Sequence, residues 1–131
     1  MIQRQPGRLV LIVLVLGLVA ACGASSRLKV LRANVVALNT ARDAVLAISK
    51  EREKQIYDAC NPPTCTKEEG HARVEAWQAK VDVAIKAIDL GYRAQHDAAL
   101  LDDTKSTATA AAAAAKALDL YKQLKDLKEN P

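Results

Sequence analysis

The sequence predicts an all-α protein, an elongated antiparallel three-helix bundle. Half of the 131 residues are hydrophobic, and alanine supplies much of that share, including the run at 110–115. Alanine favours helix because it has no side-chain entropy to lose. Apolar residues recur every three or four positions along three segments, as on one face of a helix. Five glycines and four prolines are too few for the many turns of an all-β protein.

The first 21 residues have the organisation of a secretory signal. Arg4 and Arg8 precede an uncharged apolar segment at 9–21, LVLIVLVLGLVAA, which ends in small residues. A membrane-spanning helix needs about 20 apolar residues, so an uncleaved membrane anchor is the weaker alternative.

The end of this segment carries a motif, Val19-Ala20-Ala21-Cys22. It resembles the lipobox of bacterial lipoproteins, in which small residues precede the cysteine that receives diacylglycerol. The resemblance implies cleavage between Ala21 and Cys22, lipidation of Cys22 and attachment of the mature chain to a membrane. Two acyl chains suffice for stable anchoring. In that class, an Asp after the lipidated cysteine favours retention in the inner membrane. Gly23 at this position therefore favours the outer membrane, facing the periplasm, if the cell is Gram-negative.

These features divide the chain into a signal peptide at 1–21, a short lipidated tether at 22–26 and a helical bundle domain at 27–131. Removal of the signal leaves about 110 residues, which suits one small domain. It also removes two of the positive charges that give the chain its formal net charge of +4. The remaining charges are spread along the helices, so no nucleic-acid partner is predicted.

The first predicted helix starts at about Arg27, with Ser25 or Ser26 as its cap. It ends by about Cys60, because the prolines at 62–63 exclude helical geometry before them. Its apolar face consists of Leu28, Leu31, Val35, Leu38, Ala41, Val45, Ile48 and Ile56.

The second helix begins with a capping box, Thr66-Lys67-Glu68-Glu69, in which Thr66 and Glu69 satisfy free backbone donors reciprocally. Trp77 falls within its apolar stripe, which favours core packing over an exposed binding anchor. The stripe comprises Val74, Trp77, Val81, Ile85, Ile88, Tyr92 and Ala99.

A turn is predicted at 102–107, with a continuous helix through this segment as the alternative. A third helix then extends to about Lys128. Its apolar face comprises Ala110, Ala113, Ala117, Leu120, Leu124 and Leu127. Short connections make neighbouring helices antiparallel, which gives an up-down-up bundle. The alternative fold is a long helical hairpin that dimerises, and oligomerisation is left open.

Cys60 and Cys65 flank the turn between the first two helices, and the sequence predicts a structural disulfide between them. Two more specific hypotheses for this pair, redox catalysis and zinc binding, have less support. Thiol-exchange proteins usually carry Cys-x-x-Cys rather than this spacing. A zinc site with His71 as third ligand lacks an apparent fourth ligand.

Other candidate chemistry is sparse. Glu68 and His71 have the Glu-x-x-His spacing of helical di-iron sites, but such sites need a second copy and two more glutamates. His96 has no nucleophile placed to use it. No phosphate-binding loop, nucleophile elbow or metalloprotease signature occurs. The sequence therefore predicts no catalytic residue, cofactor or metal, and a protein that is not an enzyme.

The predicted function is that of a lipid-anchored, non-enzymatic envelope protein for interaction, assembly or structural support. Its partners would be the membrane, through the lipid, and another envelope protein. In outline it resembles the pilotins of secretion systems, small helical lipoproteins with a disulfide that dock a partner's helix. The chain ends Lys128-Glu129-Asn130-Pro131, unlike the murein lipoprotein, whose terminal lysine joins peptidoglycan. A ligand-binding or stress-sensing module is the first alternative, and a thiol–disulfide redox protein is the second.

Overall fold

The computed structural model describes residues 24–60 and 64–129, which form three α-helices. Helix α1 spans Ala24–Ala59, α2 spans Lys67–Leu101 and α3 spans Thr104–Glu129. Each helix packs against the other two, so the predicted all-α three-helix bundle is confirmed. The predicted signal peptide at 1–21 and the predicted lipidation site Cys22 lie outside the described residues.

Contacts between the helices fix their directions. Near one end of the bundle Arg27 of α1 contacts Asp102, which follows α2. Further along, Glu51 of α1 contacts Lys128 near the end of α3. The chain therefore runs up, down and up, with 36, 35 and 26 residues in the helices, or about 54, 53 and 39 Å. Because α3 covers the α1–α2 pair within one chain, the alternative of a two-helix hairpin is wrong.

Helix α1 differs from its prediction at its beginning. It includes Ala24, so Ser25 and Ser26 lie inside the helix rather than capping it, and part of the predicted tether at 22–26 is helical. No proline or glycine after Gly23 opposes helix there. Leu28 was predicted on the buried face but is exposed, because the bundle ends at this level. The end of the helix at Ala59 agrees with the prediction.

The capping box of α2 is confirmed. Thr66 Oγ1 accepts from the Glu69 N–H at 3.2 Å, and Glu69 Oε2 accepts from the Thr66 N–H at 2.8 Å. At its other end Asp102 has a φ of 48°, the left-handed geometry that stops a helix, and its N–H bonds to the Ala98 carbonyl at 3.0 Å.

The connection to α3 is shorter than predicted. Asp103 Oδ1 accepts from the Ser106 N–H at 2.6 Å, as a helix-capping carboxylate does. Residues 104–107 therefore belong to the first turn of α3, and the turn predicted at 102–107 consists of Asp102 and Asp103 alone. The alternative of a continuous helix is also wrong.

Nine of the ten buried positions of α2 alternate in steps of four and three, and the tenth, Ala87, lies beside this series. The nine are Gly70, Val74, Trp77, Val81, Ala84, Ile88, Gly91, Gln95 and Ala98. This average period of 3.5 residues is that of helices packed in a left-handed supercoil. Small residues occupy the seam at Ala84, Gly91 and Ala98, and they allow close approach of the neighbouring helices.

The apolar stripe predicted for α2 differs from this seam, because the prediction chose the bulky Ile85 and Tyr92 over the small residues before them, Ala84 and Gly91. Ile85 and Tyr92 are only half-buried at its edge, and Ala99 is exposed. The same error affects α3, where Ala114 is buried while the predicted Leu127 is exposed. The buried set of α3 is Thr107, Ala110, Ala111, Ala114, Ala117 and Leu124.

One buried amide links all three helices. Gln95 of α2 is 2% exposed. Its Oε1 accepts from Asn34 Nδ2 of α1 at 3.1 Å, and its Nε2 donates to the Ala110 carbonyl of α3 at 2.7 Å. Apolar periodicity gave no signal for this contact, because a glutamine in a seam position interrupts the pattern.

Candidate functional site

A disulfide closes the tip of the α1–α2 hairpin. Cys60 and Cys65 are bonded, with their Cα atoms 4.9 Å apart, a usual separation for a disulfide. The bond joins the end of α1 to the segment that enters α2. Cys65 is buried. The buried Cys65 sulfur favours a structural bridge over the redox hypothesis, because thiol exchange requires access to a sulfur atom, and only Cys60 is partly exposed.

Beyond the contact between Lys128 and Glu51, α3 ends at Glu129 while α1 continues through residues 52–59. These eight residues correspond to about 12 Å of helix. Among the described residues, α3 has none beyond Glu129 that could cover the α1–α2 pair at this level. The uncovered side of the pair forms an open groove, which we call the tip groove.

The tip groove has a volume of about 290 Å³. Its apolar lining comprises Ile56, Ala59, Ala76 and Trp77. Trp77 is 6% exposed, so the side chain predicted to pack in the core does so and also contributes to the wall of the groove. Its indole N–H is buried without a hydrogen-bond partner in the part of the chain that the structure describes.

Three cations surround this apolar lining, namely Arg52, Arg73 and Lys80, and no carboxylate is among the lining residues. Arg52 Nη1 donates to Gln55 Oε1 at 3.3 Å, and both side chains belong to the groove. Several like charges beside an apolar surface raise the local concentration of anions. The groove is therefore suited to a ligand that combines apolar groups with carboxylates or other anions.

Sequence reasoning missed this groove, although α1 carries a signal for it. The buried seam of α1 runs through Ala41, Val45 and Ile48, and the same steps lead next to Arg52 and Gln55. In α1 these polar residues occupy seam positions at the level where α3 ends, whereas the polar Gln95 occupies a seam position that all three helices cover.

The opposite end of the bundle, which we call the leucine end, exposes apolar side chains. Leu100 is 72% exposed and Leu101 is 64% exposed, where α2 ends. Arg27 Nη2 donates to the Asp102 carbonyl at 3.0 Å and holds the beginning of α1 against this turn. Cys22 precedes Ala24 by two residues, a reach of about 7 Å.

The other sequence candidates do not come together. His71 contacts Glu75 at 3.3 Å and His96 contacts Asp97 at 3.6 Å, and all four side chains are exposed. Glu68, the glutamate of the Glu-x-x-His spacing, is exposed in the first turn of α2. Within residues 24–60 and 64–129, no group of three or more His, Cys, Asp or Glu side chains is placed to hold a metal ion.

Shifted acid–base groups lie outside the tip groove. Burial raises the pKa of the Tyr92 phenol, which donates to Asn39 Oδ1, and the charge of Arg42 opposes that shift. Hydrogen bonds from the backbone and hydroxyl of Ser106 lower the pKa of Asp103.

None of the described helices combines the length and apolarity that crossing a membrane requires. Family models, curated proteins and solved structures that were compared with the chain give no match. Its function therefore has to be inferred from its own motif and from the two ends of the bundle.

Proposed function

We propose that this chain is a lipid-anchored envelope protein whose helical bundle is a non-enzymatic module for interaction or assembly. The observation that carries the proposal is the lipobox-like Val19-Ala20-Ala21-Cys22 at the end of an export signal. Cleavage before Cys22 and lipidation of its sulfur hold the bundle at a membrane.

The leucine end supports this arrangement. Leu28, Leu100 and Leu101 are exposed at the end of the bundle from which the chain leads to Cys22. Exposed leucines are costly in water but favourable at the boundary between lipid head groups and acyl chains. A lipid on Cys22 brings this end to the bilayer surface, where the leucines are removed from water.

The disulfide supports a location outside the cytosol. Bonds such as Cys60–Cys65 persist in the periplasm and outside cells, whereas the cytosol keeps thiols reduced. An exported bundle whose outer tip is closed by a disulfide fits a protein that works outside the cytosol.

Mass spectrometry of the N-terminal tryptic peptide tests the anchor. We expect a peptide that begins at Cys22, ends at Arg27 and carries the mass of diacylglycerol, and no peptide from residues 1–21. Cys22→Ser should lack the diacylglycerol mass and retain residues 1–21, whereas the paired control Cys60→Ala/Cys65→Ala keeps both the lipid and the cleavage. An intact N-terminus with an unmodified thiol at Cys22 overturns the proposal.

Photocrosslinking in the native membrane tests the interaction module. A photoreactive residue at Arg73, beside the tip groove, should crosslink to a discrete envelope protein that can be identified by mass spectrometry. The same residue at Val36, an exposed position about a third of the way along α1, serves as the control. Recovery of lipid and self-contacts alone at both positions argues against a protein partner.

A further inference from the structure

We infer that the tip groove binds an acidic amphipathic helix of a partner protein, seated beyond Glu129 on the line of α3. The inference rests on the proposed function and names the site of the interaction. The described residues leave this surface open. Shape, charge and rigidity each point to this occupant.

The shape argument starts from the way the bundle ends. Helix α3 packs against α1 and α2 up to the contact between Lys128 and Glu51. The α1–α2 pair continues past this contact with the same spacing of seam positions, so it still offers the surface on which a third helix packs. A helix that extends the line of α3 would restore three-helix packing.

The size of the groove fixes how such a helix binds. A volume of 290 Å³ is too small for two turns of helix, which measure about 10 Å across and 11 Å in length. Only side chains enter the groove, and the helix itself lies over it. Spacing of three or four residues places two or three apolar side chains of the partner against Ile56, Ala76 and Trp77.

The charge argument selects the sign of the partner. Arg73 and Lys80 are exposed and lie along one side of the groove on α2, and Arg52 faces them from α1. Because no acid is among the lining residues, a helix with carboxylates flanking its apolar face meets the three cations Arg52, Arg73 and Lys80 directly. A basic or neutral helix of the same shape gains no such attraction.

The disulfide makes the groove rigid before binding. Cys60–Cys65 ties the two helix ends together just beyond Ala59, and the capping box at Thr66 fixes the start of α2. A surface that is already ordered loses less entropy when a partner binds.

A displayed library of 12-residue helices with varied apolar and charged positions provides the probe. The bait is the purified, detergent-solubilised protein with its disulfide intact. We expect enriched sequences to carry apolar residues at helical spacing with glutamate or aspartate beside them. Trp77, the one tryptophan of the chain, should report saturable 1:1 binding of a synthetic enriched peptide by a change in fluorescence.

Charge reversal supplies the decisive comparison. Arg73→Glu/Lys80→Glu should weaken binding of the enriched peptide by about tenfold or more, because each attraction becomes a repulsion. Lys86→Glu/Arg93→Glu, on the same helix but outside the groove, reverses as many charges at the same spacing, is the matched control and should bind as the unchanged protein does. Circular dichroism of all three proteins verifies that they are folded.

Several outcomes overturn the inference. One is the absence of enrichment, which leaves the cations as a solvated end of the bundle. A second is enrichment without a surplus of acidic residues, or equal binding to the reversed-charge variant. A third is displacement of the peptide by millimolar inorganic phosphate, which indicates a small-anion site. A fourth is a sedimentation result in which a second copy of the chain occupies the groove. None of these outcomes bears on the proposed lipid anchor, which the mass of the Cys22 peptide tests separately.

Discussion

Gly70 shows how a single residue adapts the hairpin tip to its disulfide. A Cβ at this position would lie 2.8 Å from Cys60 Sγ and 3.3 Å from Cys60 Cβ. The sulfur is held by its bond to Cys65 and cannot retreat as the end of a flexible side chain would. The φ of Gly70 does not lie in the left-handed region, so its backbone conformation does not require glycine. The lack of space for a Cβ is the reason that glycine fits there.

Gly70→Ala should therefore lower the free energy of unfolding of the oxidised protein by about 1–3 kcal/mol through overpacking. In a Cys60→Ala/Cys65→Ala background the sulfur is absent, and alanine is a better helix former than glycine by up to about 1 kcal/mol. The penalty should then become smaller, although the Cβ of residue 60 remains and keeps part of the close contact. Urea unfolding of the four proteins, followed by circular dichroism, measures both values. Equal penalties in the two backgrounds would contradict this explanation.

Asp103 connects one side chain to the pH dependence of folding. Hydrogen bonds from Ser106, with a smaller contribution from Arg27, place the pKa of Asp103 in the folded protein below its value in the unfolded chain. The folded state then gains stability at pH values above the unfolded pKa of about 4, and this gain is lost as the pH falls below it.

Asp103→Asn keeps an oxygen that accepts the Ser106 N–H but has no charge to lose. We expect the unchanged protein to lose more stability than Asp103→Asn between about pH 5 and pH 2. Asp82→Asn, an exposed carboxylate on α2, is the control and should follow the unchanged protein. Urea midpoints across this pH range give the comparison, and parallel curves for all three proteins would exclude a role for Asp103.

Local rules predicted those individual residues whose partners are close in sequence. The capping box at Thr66 and the Cys60–Cys65 pair could be predicted because three and five positions separate the partners. Gln95 could not, since its partners Asn34 and Ala110 lie on two other helices. The three groove cations could not be predicted either, because their position in a groove depends on where α3 ends.

At the scale of the elements, small residues decide how closely the helices pack. Ala110, Ala114 and Ala117 are buried along α3, spaced by four and three residues. The number of helices and most boundaries followed from apolar periodicity and caps. The buried face of each helix was less predictable, because periodicity gives more weight to a bulky Ile85 than to the small Ala84 that is buried at the seam.

Ala117→Leu should test this packing. Ala117 has no exposed surface, so three added heavy atoms must displace neighbouring helices at an expected cost of about 1–3 kcal/mol. Ala112→Leu is the matched control, since Ala112 is exposed on the same helix and the change should stay within about 0.5 kcal/mol. Thermal and urea unfolding of both variants provide the measurement. Similar stabilities would mean that α3 is not closely packed.

At the scale of the whole molecule, the two candidate surfaces lie near opposite ends of the bundle. Gln78 bonds to Glu53, which follows Ala24 by 29 residues along α1, so the neighbouring Trp77 lies about 43 Å from the beginning of the helix. The lipid proposed for Cys22 would therefore leave the tip groove far from the bilayer when the bundle stands upright. A bundle that lies flat would instead bring one side of the groove to the lipid head groups.

Quenching by brominated acyl chains distinguishes these two orientations of the lipid-anchored protein in vesicles. In the upright orientation Trp77 is not quenched, whereas a second tryptophan introduced by Leu101→Trp at the leucine end is quenched. Val36→Trp, at an exposed position part of the way along α1, is the control and should stay unquenched. Keeping Trp77 in every variant preserves the core. Quenching of Trp77 itself would mean that the bundle lies on the membrane. The anionic lipid head groups would then compete with the partner helix for the groove.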